Sequence, residues 1–165
     1  MNLRSLSVLA AAVLLLAACK ESPGTATNTS GGAGAATAAS TAPSGPAKGS
    51  REDFIQNVGD RVFFDFDKSD VKPEGQQTLQ RQATWLKQYP SVTVTIEGHC
   101  DERGTREYNL ALGNRRANAV KNALVALGIP ANRIQTISYG KDRPIVVGSN
   151  EAAWAQNRVG ITVIN

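Results

Sequence analysis

Gly98-His99-Cys100-Asp101-Glu102-Arg103-Gly104 decides how this chain is read. The alternating apolar run Val92-Thr93-Val94-Thr95-Ile96 leads into it, and a basic, alanine-rich segment from Glu107 to Leu127 leads out. Alternation marks a half-buried strand, and the long segment carries the spacing of a helix. A strand that passes through a glycine-flanked acidic turn into a helix is a common place for a ligand. The turn supplies Asp101, and the helix supplies Asn109 and Arg116, seven residues apart and so two turns along one face.

The neighbouring segments give more elements of both kinds. Ser50 with Asp53 reads as a capping pair for a short helix through Asn57, ended by Gly59. Arg61 to Phe66 is β-rich, with Val62, Phe64 and Phe66 predicted on one face. Asp67 to Asp70 is a polar turn. Pro73 suits the first turn of a helix that runs to about Tyr89, buries Leu79, Ala83 and Leu86, and is stopped by Pro90. A strand over Ser91 to Glu97 points Val92, Val94 and Ile96 inward. The following helix, from about Arg106 to Leu127, is predicted to bury Leu110, Ala117, Val120, Leu124 and Leu127, with Gly128 past its end. Arg133 to Tyr139 is a third strand, Glu151 to Gln156 a short helix, and Val159 to Ile164 a last strand with Val159, Ile161 and Val163 inward. Strands alternating with helices predict an α/β (α+β) two-layer sandwich: a mixed four-stranded sheet with its helices on one face.

The chain has 165 residues and a formal charge of +4, with 18 basic and 14 acidic residues. Basic residues alternate with acids, so there is no dense basic stripe and no nucleic-acid footprint. Large apolar residues after residue 50 fill a segment of ordinary domain size. Ahead of it, Met1 to Ala18 reads as an export signal, with a positive start at Arg4 and an apolar run that ends in Leu16-Ala17-Ala18-Cys19. That run is shorter than the roughly 20 residues of a transmembrane helix. From Ser22 to Ser50 only Asn28 and Lys48 are not Ser, Thr, Ala, Gly or Pro. Such a tract has little to bury and is expected to stay disordered, with a root-mean-square span of roughly 30 Å and up to about 100 Å when extended. The expected organisation is a signal over residues 1–18, a lipid-bearing linker over 19–50 and one domain over 51–165.

Continuing the alternation past Ile96 puts Gly98 and Cys100 toward the core and Glu97 and His99 opposite. Asp101 and Arg103 fall in the turn, and Leu112 lies between Asn109 and Arg116, on the side of the helix opposite its predicted buried stripe. An anion, an amide and a guanidinium above an apolar floor would suit a small zwitterion. Its ammonium would meet Asp101, and its carboxylate would meet Arg116 bidentately. Spacing alone leaves a second possibility open, in which Asp101 and Arg116 pair with each other and fix turn to helix. Arg115 is expected to be a solvated charge.

The run from Gly98 to Thr105, then Glu107-Tyr108-Asn109-Leu110 and Arg115-Arg116-Ala117-Asn118-Ala119-Val120, resembles the peptidoglycan-associated lipoproteins (the Pal family) of Gram-negative bacteria, with their OmpA-like domain. Val62 to Asp70, Ser138-Tyr139-Gly140-Lys141 with Pro144, and Asn157-Arg158 match as well, as does the signal ending at Cys19. The resemblance implies that Cys19 is acylated, with an S-diacylglycerol and an N-palmitoyl group, and that Lys20 after it sends the protein to the inner leaflet of the outer membrane. It implies non-covalent binding of peptidoglycan through diaminopimelate in the stem peptide. Asp101 would take the ammonium and Arg116 a carboxylate, while Asn109 would orient ligand or loop. The Phe66-Asp67 turn would supply backbone donors and Leu112 apolar contact, with Arg103, Thr105 and Arg158 bordering the site. The implied partners are TolB and the other Tol proteins. The implied role, in the Tol-Pal system, is to tether the outer membrane to the wall and draw it inward at division. Two departures stand out: Cys100 occupies a position where the family often has alanine or threonine, and Val159 replaces an arginine after Asn157-Arg158.

Other functions find fewer parts in the sequence. A cell-wall-modifying enzyme would need a nucleophile or a metal, and His99 with Cys100, on opposite faces of a strand, form neither a dyad nor a start on the three or four ligands of a zinc site. His99 is expected to hydrogen-bond the turn, and Cys100 to be a buried, inert thiol. A solute-binding lipoprotein would need more than one small domain. A non-enzymatic wall-binding protein without cofactor or metal is the expectation.

Overall fold

The computed structural model describes residues 45–165, so the expected signal, Cys19 and most of the linker lie outside the described residues. The described chain starts with helix α1 (Arg51–Asp53), which continues into a single π-turn over Phe54–Val58. Strand β1 (Arg61–Phe63), helix α2 (Pro73–Gln88), strand β2 (Val94–His99) and helix α3 (Arg106–Ala126) follow. A 3₁₀ turn (Ala131–Arg133) then leads to β3 (Ile134–Gly140), α4 (Glu151–Asn157) and β4 (Val159–Ile164). The strands form one mixed sheet of order β1-β4-β2-β3, in which β2 and β3 are parallel and the other pairs antiparallel. This is the α/β sandwich expected from the sequence.

Local chemistry explains the boundaries. The Ser50 hydroxyl accepts from the Asp53 amide and caps α1 as predicted. Pro73 opens α2, where its missing N–H costs nothing. Thr105 caps α3, its hydroxyl accepting from the Tyr108 amide at 3.2 Å. Gly128, at φ +92, follows α3, a conformation that glycine adopts without strain. Leu79, Ala83 and Leu86 of α2 are buried with Val94 and Ile96 of β2 and Ala117, Val120 and Leu124 of α3, in one core cluster.

Several expected faces differ. Burial along β1 breaks after Phe64: Val62 and Phe64 are buried, but Phe66 is 57% exposed, because the strand ends at Phe63 and the chain turns. Strand β2 starts at Val94 rather than Ser91 and runs on to His99, leaving Val92 at the margin of the core. In β4 the predicted alternation is inverted. Val62, which faces the core, pairs with Gly160; Thr162 bonds Gln82 of α2, and Ile164 packs on the core cluster. Val159, Ile161 and Val163 therefore take the other face, where Val159 and Ile161 are nonetheless buried; the all-apolar sequence gave the alternation nothing to mark. On α3, Leu110 is 41% exposed and Leu127 only partly buried.

Strand β2 and helix α3 meet backbone to backbone. A Cβ on Gly98 would stand 1.9 Å from the carbonyl oxygen of Gly113, and one on Gly113 would stand 2.3 Å from Ser138 Oγ. This contact sets the turn 100–104 directly over the N-terminal half of α3.

Candidate functional site

Where β2 gives way to α3, Phe66, Asp67, Cys100, Asp101, Arg103, Gly104, Tyr108, Asn109, Leu112 and Arg116 line a cleft of about 140 Å³. Of the residues singled out in the sequence, Phe66, Asp67, Asp101, Arg103, Asn109, Leu112 and Arg116 come together here. Thr105 and Arg158 stand outside the lining: Thr105 caps the helix, and Arg158 reaches Asp101 at 3.5 Å.

The cleft does not lie on a solvent-facing side of α3, as the sequence suggested. Asn109, Leu112 and Arg116 belong to the same buried stripe as Ala117, Val120 and Leu124. Arg116 is fully buried and Asp101 is 4% exposed, and the cleft lies between the first half of α3, the turn after β2 and the loop at Phe66 and Asp67. The register shift between Gly98 and His99 carries the chain off strand geometry at this point. His99 stays on the side of Glu97, 3.6 Å from it, where the alternation placed it, and is buried there.

Arg116 holds the floor. Its Nε donates to Lys68 O at 2.9 Å, Nη1 to His99 O at 2.8 Å and Nη2 to Asp65 O at 3.0 Å. The guanidinium thereby joins the 65–68 loop to the end of β2. A guanidinium has five N–H donors, so two remain for another acceptor. Burial lowers its pKa from the usual arginine value, opposed by the nearby Cys100 and Asp101. The pairing of Asp101 with Arg116 that spacing left open does not occur.

Asp101 is instead bound by Arg103. Arg103 Nη2 lies 2.6 Å from Oδ2, and Arg103 Nε and its backbone N–H reach Oδ1 at 3.1 and 3.2 Å. Burial pushes the Asp101 pKa up, but the Arg103 bonds, with a further one from Arg158, outweigh it and hold the carboxyl below its ordinary value. Arg158 also donates to Phe64 O and to Glu151. Asn109 donates to Arg103 O at 2.7 Å and Thr105 O at 3.0 Å, so the amide orients the turn.

Asp67 adopts φ +58, a left-handed conformation that Asp tolerates better than most residues. Its carboxylate accepts from the Tyr108 hydroxyl. The side chain of this turn therefore borders the cleft, where only backbone donors were expected.

Trp154 contributes without having been marked in the sequence. The Arg103 guanidinium is sandwiched between the Phe66 ring, 4.0 Å from its centroid, and the Trp154 ring at 4.2 Å. Trp154 in turn donates to Glu102, and Lys141 bonds the carbonyls of Glu102 and Gly104. No local spacing links Trp154 to a turn some fifty residues earlier in the chain. Tyr108 sits in the helix motif itself, yet its partner Asp67 is 41 residues away.

His99 and Cys100 do not form a dyad. His99 Nδ1 bonds Arg143 O at 3.0 Å, and Nε2 faces Glu97 at 3.6 Å; Cys100 Sγ donates to Asn109 O. Burial pushes the Cys100 thiol up to about 11. Arg115 is exposed, as expected. Among the described residues, no group of three His, Cys, Asp or Glu is placed to hold a metal, and no helix is long and apolar enough to cross a membrane.

The OmpA family matches residues 63–158. The peptidoglycan-associated lipoprotein of Brucella melitensis is 50% identical over 155 residues, 92% of this chain and 86% of that protein. That of Agrobacterium fabrum is 53% identical over 134 residues, 81% of this chain and 70% of the other. Among solved structures, the peptidoglycan-associated lipoprotein from Burkholderia pseudomallei is 41% identical and superimposes with a TM-score of 0.64, covering 67% of this chain and 98% of that one. The C-terminal domain of Helicobacter pylori MotB shares the fold at 19% identity, with a TM-score of 0.60 over 64% of this chain and 84% of that one.

Proposed function

The chain belongs to the OmpA family, and from that membership we propose that it is a non-enzymatic envelope lipoprotein that grips peptidoglycan through the zwitterionic diaminopimelate of the stem peptide. The observation that carries this reading is the convergence of Asp101, Asp67, Leu112 and Arg116 on one small cleft. The ligand ammonium enters between the carboxylates of Asp101 and Asp67, and a ligand carboxylate takes the two N–H groups of Arg116 left over from its carbonyl bonds. Leu112 and the exposed Phe66 ring receive the methylene spacer between them. Asn109 and Arg158 serve the site by holding the turn and Asp101, and Thr105 by starting the helix.

The anchoring half of the proposal rests on Cys19 as the lipid-bearing residue, modified with S-diacylglycerol and N-palmitate, and on residues 22–50 as a tether. Multiple acyl chains give a stable anchor where one gives marginal binding. The protein thereby sits on the periplasmic face of the outer membrane and links it to the wall. TolB and the other Tol proteins are its proposed partners, and membrane invagination at division its proposed role.

Co-sedimentation of the purified protein with sacculi tests the binding. The wild type is expected in the pellet, and Asp101→Asn, with its fold intact by circular dichroism, is expected to bind more than about tenfold more weakly, as truncating one partner of a desolvated charge pair costs about 2–5 kcal/mol. Undiminished binding by Asp101→Asn rejects the site. Release of soluble muropeptides would identify a wall-modifying enzyme instead.

A further inference from the structure

In the free protein the Asp101 carboxylate already has a cation. Both of its oxygens accept from Arg103, and Oδ2 also faces Arg158 at 3.5 Å. The Asp101 side chain is 5% exposed and that of Arg103 32%, so the guanidinium stands between the buried carboxylate and solvent. A ligand ammonium that takes Asp101 must compete with these bonds.

Arg103 is nevertheless positioned by more than Asp101. Phe66 and Trp154 clamp its plane from either side at 4.0 and 4.2 Å, and Trp154 is fixed by its bond to Glu102. Stacking between two rings depends on the plane of the guanidinium and not on which edge is bonded. The two rings therefore give the guanidinium contacts that do not depend on the Asp101 ion pair.

We propose that Arg103 is a gate on the cleft, an internal cation that occupies Asp101 until a ligand ammonium replaces it. The inference rests on the reading of Asp101 as the ammonium partner. A simple amine gains one ion pair and loses one, a poor exchange. Displacing Arg103 lowers the affinity of both kinds of ligand alike, and a ligand that also delivers a carboxylate to Arg116 is the one left with a net gain.

Isothermal titration of the full chain in detergent with a disaccharide-tripeptide muropeptide ending in diaminopimelate tests this. Arg103→Met removes the competing charge and keeps an unbranched side chain between the rings. It is expected to bind about tenfold more tightly than wild type, equivalent to about 1.4 kcal/mol. The same muropeptide N-acetylated on the diaminopimelate amine is expected to bind both proteins equally. Equal or weaker binding of the amine-bearing muropeptide by Arg103→Met overturns the gate. Absence of binding by the wild type sinks the wall-binding reading and the gate with it. Should Arg103→Met not fold, the Arg103 Nε resonance of the wild type decides: a shift on saturation with the muropeptide is expected, and an unmoved resonance overturns the proposal.

Discussion

At the scale of single residues, burial assigns different duties to groups that look alike in the sequence. Arg116, the proposed carboxylate partner, is also a structural cross-link, since its three bonds gather the 65–68 loop and the end of β2. Arg116→Ala would leave buried carbonyls without partners and is expected to cost about 3–5 kcal/mol in chemical denaturation. Its loss of binding would therefore report folding as well as recognition, which makes Asp101→Asn the cleaner probe. Asp101 also carries a pH signature. Its pKa is depressed in the fold, so its stabilising contribution is fully present above the ordinary carboxylate value of about 3.9 and fades as pH falls through the lower native value. The gap in denaturation midpoint between wild type and Asp101→Asn should be constant from pH 7 to about 5 and close progressively below pH 4. Cys100, buried with its thiol pushed up to about 11, is expected to resist thiol reagents at pH 8 in the native protein and to react once unfolded.

At the scale of elements, the site depends on two glycines that let a strand and a helix touch. Gly98→Ala would drive its Cβ into the Gly113 carbonyl, a clash with backbone that no rotamer relieves. A destabilisation of about 3 kcal/mol or more is expected, read as a lowered thermal midpoint. Most elements could be read from the chain, because caps and breakers such as Ser50, Pro73, Thr105 and Gly128 act locally. Alternation failed where it carried no contrast: every residue from Val159 to Ile164 is apolar, small or a threonine, so only pairing with Val62 reveals that Gly160 and Thr162 face the helices. The buried side of α3 was misread for a related reason. A helix stripe that contains Asn109 and Arg116 looks solvent-facing until the carbonyls that satisfy them come into place from loops distant in sequence. Asp101, Arg116 and Leu112, with Arg103 and Arg158 at the border, were named from the sequence, but that both arginines bind Asp101 and that Trp154 stacks on Arg103 required the fold.

At the scale of the whole molecule, the proposal joins a membrane anchor to a wall-binding domain through residues 22–50. Shortening that tract by half should leave the affinity for sacculi unchanged while increasing outer-membrane vesicle shedding from cells, because reach and grip reside in separate parts of the chain. Everything else rests on the cleft between the turn after β2 and α3 as a seat for a zwitterion. The most direct test is a crystal structure of the protein with a diaminopimelate-containing stem peptide. The expected complex has the ligand ammonium within about 3 Å of the Asp101 carboxylate and a ligand carboxylate on Arg116. A peptide bound elsewhere on the domain, with Asp101 still held by Arg103 and this cleft vacant, would contradict it.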